Sequence, residues 1–200
     1  MAFDFDGTLT SRDSFLAFLQ WRAGLARYAA GVATLAPSMA AYLVSRDRGR
    51  IKAAAVRRFL KGMTRAELAA EAQTFAGIHG RALLRGDALR AWRRWQAEGA
   101  RLVIVTASPE PIVGPIARGL GADLLLATRL AYDDSDRLTG ALDGANCRGP
   151  EKVRRLREAF GDDVRLEAAY GDTSGDTDML ALAEERGMKV FNGPGGSFPG

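Results

Sequence analysis

The sequence predicts an α/β fold: a doubly wound parallel sheet with a small helical insertion directly after the first strand. From about residue 86 onward, short apolar runs alternate with helical patterns, which is typical of a parallel sheet covered by helices. Residues 11–85 instead repeat apolar side chains at helical spacing, and no strand is obvious among them. We therefore expect residues 1–10 and 86–200 to form a core domain and residues 11–85 to form a helical one.

The composition is that of an ordinary globular protein, since 47% of the 200 residues are hydrophobic and 26% are charged. The single cysteine, Cys147, excludes an internal disulfide framework, and no signal peptide is visible, so we expect a cytoplasmic protein. The one histidine, His79, excludes a histidine-rich metal site. A net charge of +4 favours anionic partners, but no motif of aromatic and basic residues indicates nucleic acid, and no nucleic-acid partner is expected.

The first strand is short and leads into the run FDFDGTLT, which begins at Phe3. Side chains two residues apart on a strand point to the same face, so Asp4 and Asp6 are expected to project together where the strand ends. Two carboxylates in such a place suit a metal ion, a nucleophile, or a nucleophile with a general acid.

The helical segment contains two helix starts and one uncharged stretch. Asp13 can cap a first helix, and Thr64 with Glu67 forms the pattern of a capping box. Residues 28–45 approach the length of a membrane span, but they are rich in alanine and interrupted by Pro37. We expect a buried or interfacial helix pair that is broken at that proline. A basic run follows, with Arg46, Arg48, Arg50, Lys52, Arg57 and Arg58.

In the core, unbroken apolar runs predict strands and one-sided apolar patterns predict helices. The predicted strands are residues 101–106, 123–127, 166–170 and 188–191. The predicted helices are one that ends at Gly99 and those over residues 110–120, 150–160 and 176–186. Residues 128–148 carry several turn signals and are expected to form a small hairpin beside the main sheet.

Polar residues follow the predicted strands in distant parts of the chain, and the carboxyl ends of parallel strands meet at one edge of a sheet. These residues are Asp4, Asp6, Thr8, Thr106, Ala107, Ser108, Lys152, Asp172 and Asp176. Carboxylates hold Mg²⁺, a hydroxyl and an ammonium bind phosphate oxygens, and one carboxylate can attack phosphorus. The set therefore meets the needs of phosphoryl transfer. Ser108 precedes a proline and suits a helix N-cap better than a ligand.

Four motifs carry a family resemblance, in the order FDFDGTLT, VIVTAS, Lys152 within GPEKV, and GDTSGDTDML. They resemble the four motifs of the haloacid dehalogenase-like hydrolases, and the resemblance covers nearly the whole chain. The insertion after the first motif and the run over residues 128–156 are similar to the phosphoserine-phosphatase-like branch, subfamily IB. This resemblance implies a Rossmann-like core with a small helical cap of type C1 over residues 11–85.

The resemblance implies a Mg²⁺-dependent phosphatase that hydrolyses a phosphate monoester through an aspartyl-phosphate intermediate. In this analogy Asp4 is the nucleophile, and Asp6 is first the general acid and then the general base. The implied groups around the phosphate are Thr106, the backbone N–H of Ala107, and Lys152, which also pairs with Asp4. The implied metal-site residues are Asp4, Asp172, the carbonyl of Asp6, and Asp176 in support of the metal shell.

Substrate choice is expected to depend on the cap, and two substrate classes stay open. Asp13 is similar in place to an acidic residue that meets the substrate amine in phosphoserine phosphatases, and Arg57 and Arg58 are candidates for a substrate carboxylate. The alternative substrate is phosphatidylglycerophosphate or another glycerol or lipid phosphate at the inner membrane face, because an uncharged stretch with basic neighbours suits an amphiphilic molecule. A non-enzymatic alternative is a phospho-accepting receiver domain, but such domains lack the DxDGT turn and the long helical insertion.

Overall fold

A six-stranded sheet with the strand order β4-β3-β2-β1-β5-β6 forms the centre of the protein. The computed structural model describes residues 1–45 and 47–196, apart from the side chain of Val44. All pairings are parallel except that of β4, which runs antiparallel to β3 at one edge. The predicted α/β class is therefore confirmed. The strands are β1 (Ala2–Phe3), β2 (Val103–Pro109), β3 (Leu124–Tyr132), β4 (Leu138–Asp143), β5 (Leu166–Gly171) and β6 (Ala183–Met188).

Helices cover both faces of the sheet, because successive side chains of a strand point to opposite sides. Ala2 packs in one apolar cluster with residues of α9 and α10, and Phe3 packs in the other with residues of α7 and α8. The helices are α1 (Ser14–Ala23), α2 (Leu25–Ala33), α3 (Ala36–Ser45), α4 (Arg48–Leu60), α5 (Arg65–Phe75), a π-helical turn (Ala76–Gly80), α6 (Arg81–Leu83), α7 (Gly86–Ala97), α8 (Glu110–Gly119), α9 (Pro150–Phe160) and α10 (Thr177–Leu180).

The two ends of the helical segment lie side by side. Thr10 and Leu84 form an antiparallel bridge, and the Ser11 N–H donates to the Leu83 carbonyl at 2.8 Å. The chain thus leaves the core after the first motif and returns to it at the same point. This joint places the helical segment next to the carboxyl end of β1.

The uncharged stretch forms a helix pair, where the sequence predicts a buried or interfacial pair broken at Pro37, but most of its side chains are exposed. α2 ends at Ala33 and α3 begins at Ala36, so the break precedes Pro37, which lies in the first turn of α3. Gly31 is the one buried residue among the described side chains of this stretch, and the ring of Phe59 lies 2.4 Å from where its Cβ would be. The hairpin of α2 and α3 packs on α1 and α4 from one side, which leaves its outer side chains in solvent.

Two further observations concern the same region. No helix among the described residues is long and apolar enough to cross a membrane. Arg46, the first member of the basic run, lies outside the described residues, as do residues 197–200 at the end of the predicted core domain.

The predicted final helix and strand are wrong. The helix expected over residues 176–186 is the single turn α10, and the last strand is β6 rather than residues 188–191. β6 pairs in parallel with β5 along its length, and this pairing outweighs the local helical pattern of a charged segment. Gly187 does not end a helix. It lets the strand approach the ring of Tyr170, whose Cδ1 would lie 2.3 Å from a Cβ at that position.

The predicted hairpin belongs to the main sheet rather than lying beside it, because its first strand is the continuation of β3. Its turn is closed by Asp133, whose carboxylate accepts hydrogen bonds from the N–H groups of Ser135 at 3.0 Å and Arg137 at 2.9 Å. β2 likewise continues beyond its predicted end at Thr106 as far as Pro109. The extension places the second motif at the buried end of a strand.

Candidate active site

Three strand ends and one helix start meet at the carboxyl edge of the sheet. β1 lies between β2 and β5, with Ala2 opposite Val103 on one side and Ala169 on the other. Residues that follow these strands therefore emerge next to one another. The predicted residues that the structure brings together are Asp4, Asp6, Thr106, Lys152, Asp172 and Asp176.

Lys152 connects this group. It lies in the first turn of α9, which Pro150 begins, and it is only 1% exposed. Its ammonium donates hydrogen bonds to Asp4 Oδ1, Asp176 Oδ1 and the Val105 carbonyl, each at 2.6 Å. Burial by itself lowers the pKa of Lys152, but the two carboxylates outweigh burial and raise the pKa above its usual value. Lys152 is therefore a fixed cation whose three protons all have acceptors.

Asp176 is held by hydrogen bonds to both of its carboxylate oxygens. Oδ1 accepts from Lys152, and Oδ2 accepts from the N–H of Asp172 at 3.2 Å and from the N–H and hydroxyl of Thr173 at 2.9 and 3.1 Å. Burial acts to raise the pKa of Asp176, but Lys152 and these donors lower it below its usual value. An ionised carboxylate with every oxygen engaged suits the orientation of its neighbours better than attack on a substrate.

Three carboxylates are close enough to share one cation. One oxygen each from Asp4, Asp172 and Asp176 lies within 4.8 Å of the others. Within the part of the chain that the structure describes, the Asp172 carboxylate accepts no hydrogen bond, which leaves its oxygens available. Burial and the neighbouring Asp176 raise the pKa of Asp172, and a bound cation would relieve that repulsion. The donors are all oxygens, as Mg²⁺ prefers, so the residues fit that ion.

Gly7 brings the first motif against Asp172. Its φ angle is +83°, in the left-handed region that glycine adopts without steric cost. A Cβ at this position would lie 2.1 Å from Oδ2 of Asp172. Glycine is thus needed in the DxDGT turn for two reasons. The backbone has a positive φ angle, and the carboxylate of Asp172 occupies the space that a Cβ would need.

Asp4 is buried, with 7% of its surface exposed. Burial raises the pKa of Asp4 to about 7, with Lys152 acting to lower it and Asp176 to raise it. Oδ1 is bonded to Lys152, whereas Oδ2 has only a 3.4 Å contact with the Thr8 hydroxyl. Oδ2 is therefore the freer oxygen. A cation shared with Asp172 would lower the pKa of Asp4 and keep it ionised, as a nucleophile must be.

Asp6 is held apart from this cluster by a different set of donors. Its Oδ1 accepts from the Ser14 N–H at 2.7 Å, and its Oδ2 accepts from the Ser108 hydroxyl. Burial, followed by the charge of Asp13, raises the pKa of Asp6 to about 6, while hydrogen bonds from Ser108 and from the backbone and side chain of Ser14 lower it. A carboxyl group with a pKa near neutrality can both give and take a proton, which is what a general acid and base requires.

Thr106 and Ala107 form the end of β2 beside these acids. Thr106 is 1% exposed, and its hydroxyl oxygen accepts from the Ser108 N–H at 3.0 Å. The Ala107 carbonyl accepts from the Thr128 hydroxyl at 2.7 Å, which fixes the orientation of that peptide. The predicted phosphate-binding role of Thr106 and of the Ala107 N–H stays a proposal.

Lys52 reaches the same strand end from the helical segment. It lies on α4, and its ammonium donates to the Ala107 carbonyl. Burial lowers the pKa of Lys52, while Asp6 and Asp13 act to raise it, which places the ammonium within electrostatic reach of both acids. The helical segment thus places a cation at the carboxyl edge of the sheet, next to Asp6 and Asp13.

Of the predicted substrate residues, Asp13 lies near the site and the two arginines face elsewhere. Asp13 is the N-cap of α1, and its charge raises the pKa of Asp6. Arg57 packs against β4, and Arg58 donates a hydrogen bond to the Thr34 hydroxyl at 3.1 Å. Both are exposed and lie in the last turn of α4, and neither has a contact with the acidic cluster among the described residues.

Sequence reasoning missed Lys52 as a site residue, and it assigned Ser108, which it placed at the sheet edge, to a helix N-cap. Lys52 stands in an otherwise apolar run, residues 51–56, where a lysine is unusual. Ser108 is not the N-cap of α8, a position that Pro109 occupies, and its hydroxyl bonds to Asp6 instead. The signal was the spacing, since Thr106 and Ser108 are two residues apart on a strand, as Asp4 and Asp6 are.

Comparisons with known proteins identify the family of the chain. The model of the haloacid dehalogenase-like hydrolase family matches residues 1–181. Protein CicA of Caulobacter vibrioides is 61% identical over 193 residues, which cover 96% of this chain and 86% of CicA.

Two solved structures extend the comparison. A protein with unknown function from Bordetella pertussis Tohama I has a TM-score of 0.75 at 27% identity, over 90% of this chain and 84% of that one. A phospho-aspartyl intermediate analogue of phosphoserine phosphatase shares the fold, with a TM-score of 0.60 at 21% identity over 92% and 83% of the two chains. The protein therefore belongs to the haloacid dehalogenase-like hydrolases.

Proposed function

We propose that this protein is a Mg²⁺-dependent phosphatase that hydrolyses a phosphate monoester through an aspartyl-phosphate on Asp4. The observation that carries the proposal is the position of the Lys152 ammonium, 2.6 Å from both Asp4 and Asp176 and beside the free carboxylate of Asp172. The oxygen of Asp4 that is available for attack is Oδ2, which has only a 3.4 Å contact with the Thr8 hydroxyl. The receiver-like alternative is set aside, because the chain belongs to a hydrolase family.

In the first half-reaction, an oxygen of Asp4 attacks phosphorus and the bond from phosphorus to the ester oxygen breaks. Asp6 gives its proton to the departing alcohol oxygen. Lys152 offsets negative charge beside the attacking carboxylate, and the Thr106 hydroxyl with the Ala107 N–H would bind the transferring group. Mg²⁺, held by Asp4, Asp172 and the carbonyl of Asp6 with Asp176 in support, would neutralise phosphate charge.

In the second half-reaction, the Asp6 carboxylate takes a proton from water while the water oxygen attacks phosphorus. The bond between phosphorus and Asp4 breaks, inorganic phosphate leaves, and Asp6 is again protonated. Asp4 returns to its pair with Lys152. One ester bond is hydrolysed in each cycle, and the protein is unchanged at the end.

Replacement of the nucleophile tests the mechanism. We expect D4N to abolish Mg²⁺-dependent hydrolysis of p-nitrophenyl phosphate, because an amide cannot form the phosphorylated intermediate. The matched control is D178N, which alters an exposed first-turn acid of α10 and should retain activity. Wild-type turnover by D4N would refute the mechanism, as would a failure to find the phosphorylated Asp4 peptide by mass spectrometry after acid quenching.

The substrate class that the site supports first is a small phosphorylated metabolite with an amine and an acid, similar to phosphoserine. Asp13 and Lys52 offer opposite charges next to the catalytic edge, and such a pair can bind a zwitterionic leaving group. The structural neighbour that is named a phosphoserine phosphatase supports this choice. In this proposal Lys52, rather than Arg57 or Arg58, contacts the carboxylate of the substrate.

A second candidate is a glycerol or lipid phosphate met at an anionic membrane surface. It is favoured by the α2–α3 hairpin, where Leu25, Met39 and Leu43 are 72%, 47% and 66% exposed. Arg27 and Arg48 are exposed at the two ends of this hairpin. Apolar side chains beside cations are the surface that peripheral membrane proteins use. On this hypothesis the protein is cytoplasmic and binds the inner membrane face, in accord with its single, unpaired Cys147.

One screen separates the two candidates. Turnover of phosphoserine, glycerol 3-phosphate and phosphatidylglycerophosphate is compared, and hydrolysis of only the amine-free esters would exclude the zwitterionic substrate. Co-sedimentation with phosphatidylglycerol vesicles at low salt, against phosphatidylcholine vesicles as the control, tests membrane contact. Absence of binding to both would remove the second candidate.

A further inference from the structure

Ser108 is a buried hydroxyl that contacts the proposed proton donor. It is 2% exposed, and its hydroxyl donates to Oδ2 of Asp6. The other oxygen of Asp6 accepts from the Ser14 N–H at 2.7 Å. The carboxyl group is thus held at both ends, and its orientation is fixed before any substrate binds.

The hydroxyls around Asp6 differ in distance. The Thr10 hydroxyl lies 3.5 Å from Oδ1, at the limit of a hydrogen bond, whereas the Ser108 hydroxyl bonds directly to Oδ2. A hydroxyl can donate or accept, so Ser108 can keep its hydrogen bond whether the carboxyl group is ionised or protonated. Ser108 is therefore the side chain that can hold this carboxyl group through a proton transfer.

The position of Ser108 is itself tightly specified. Its N–H donates to the Thr106 hydroxyl at 3.0 Å, and it precedes Pro109, which restricts its backbone to the extended region. The strand end that carries the proposed phosphate-binding hydroxyl thus also carries the group that orients the acid. A shift of one would move the other.

We propose that Ser108 is a positioning residue that holds the Asp6 carboxyl group in one orientation at the sheet edge in both half-reactions. Its hydroxyl stays bonded to the carboxyl group before the proton goes to the leaving oxygen, and to the carboxylate before water is deprotonated. The hydroxyl keeps its own proton throughout, so the balance of the hydrolysis is unchanged. The inference rests on the proposed phosphatase function and deepens it.

The test uses the leaving group, because an activated ester needs little help from a general acid. The value of kcat/KM reports formation of the phosphorylated enzyme, and it is compared for p-nitrophenyl phosphate and for the better alkyl ester among phosphoserine and glycerol 3-phosphate. General acid catalysis contributes about 10²- to 10⁴-fold, so S108A is expected to lose roughly 10- to 100-fold on the alkyl ester and less than about threefold on the aryl ester. D6N sets the upper limit of this difference.

Two further variants keep the test decisive. S108C preserves the size of the side chain and weakens its hydrogen bond, so it should change the ratio of the two substrates in the same direction. S11A removes a serine hydroxyl that bonds to the Leu83 carbonyl, outside the catalytic edge, and should leave the ratio unchanged. Equal losses on both esters in S108A and S108C, or no loss, would overturn the role of Ser108. Activity in D4N would instead overturn the underlying phosphatase mechanism.

Discussion

The carboxyl edge of the sheet contains buried charged side chains, whereas the α2–α3 hairpin contains exposed apolar ones. At the sheet edge, Lys152 and the acids around it are buried, and Lys152 is bonded to two carboxylates. In the hairpin, residues 28–45 include no charged side chain, and large apolar groups such as Leu43 face solvent. Buried charge and exposed apolar surface both reduce stability when they lack a partner.

The two regions differ in what compensates their unfavourable groups, which are buried charges in one and exposed apolar side chains in the other. At the sheet edge most of the compensation is internal, and the free carboxylate of Asp172 marks the place left for a cation. In the hairpin nothing in the described chain covers the outer face. On the proposed function we therefore expect the sheet edge to determine the reaction and the hairpin to affect only which molecules approach that edge. α4 joins the two regions, since it packs against the hairpin and carries Lys52 to the sheet edge.

Loss of the central cation should have the largest effect. K152A leaves Asp4 and Asp176 buried without their cation, and removal of one partner from a buried ion pair costs about 3–5 kcal/mol of unfolding free energy. Loss of a charge-stabilising donor should also lower kcat for p-nitrophenyl phosphate by roughly 10²- to 10³-fold. Urea denaturation and steady-state kinetics check both values. K61A, at an exposed lysine, should match the wild type, and a K152A protein of wild-type stability would contradict the prediction.

A methyl group at Gly7 should damage the metal site selectively. G7A and G99A each force alanine into the left-handed region, with φ angles of +83° and +75°, at a cost of about 1–2 kcal/mol in stability. Only at Gly7 does the new Cβ meet a carboxylate, since nothing lies within 4 Å of a Cβ at Gly99. We expect both variants to lose stability and only G7A to need more Mg²⁺ for half-maximal activity. An equal Mg²⁺ requirement in the two would argue against Asp172 as a ligand.

Stabilisation by Mg²⁺ should be greater at pH 8 than at pH 6. Burial raises the pKa of Asp4 from 3.8 to about 7, so in the metal-free protein Asp4 contributes stability that is lost as the pH rises between these two values. A cation that binds ionised Asp4 removes this loss and binds more weakly where protons compete. Thermal melts with and without Mg²⁺ at the two pH values check the difference. D4N should lose the pH dependence of the gain, and an equal gain at both pH values in the wild type would contradict it.

The smallest effect is expected in the hairpin. L43A truncates a side chain that is 66% exposed, so its stability should stay within about 0.5 kcal/mol of the wild type and its activity on p-nitrophenyl phosphate should be unchanged. The matched variant L89A truncates a side chain that is 4% exposed and should cost about 2–5 kcal/mol. Chemical denaturation of both proteins gives the comparison. A large loss in L43A would mean that the hairpin face is covered.

The sequence predicts which side chains meet at the carboxyl edge of the sheet, because the topology of parallel strands constrains their positions. Once Asp4, Thr106 and Asp172 are assigned to the ends of parallel strands, the topology brings them together without knowledge of side-chain contacts. Lys152 follows because α9 begins at Pro150, as the sequence predicts. The positions of these residues follow from local sequence patterns and from the topology of a parallel sheet.

The remaining features depend on contacts that no local pattern encodes. β6 exists because β5 offers a free edge, although its own sequence favours a helix. Residues 28–45 lie on the surface because α1 and α4 cover only one side of the hairpin. Lys52 reaches Ala107 only through the packing of α4 on the core, and that packing also directs Arg57 and Arg58 away from the site.

The joint at Thr10 and Leu84 allows the helical segment to change independently of the sheet. A chain that leaves and returns at one point can gain, lose or exchange the intervening helices while the sheet keeps its register. On the proposed function we therefore expect substitutions in α1–α6 to alter the choice of substrate while Asp4 and Lys152 keep their contacts. For the engineer, the joint marks the two positions between which a different set of helices can be grafted.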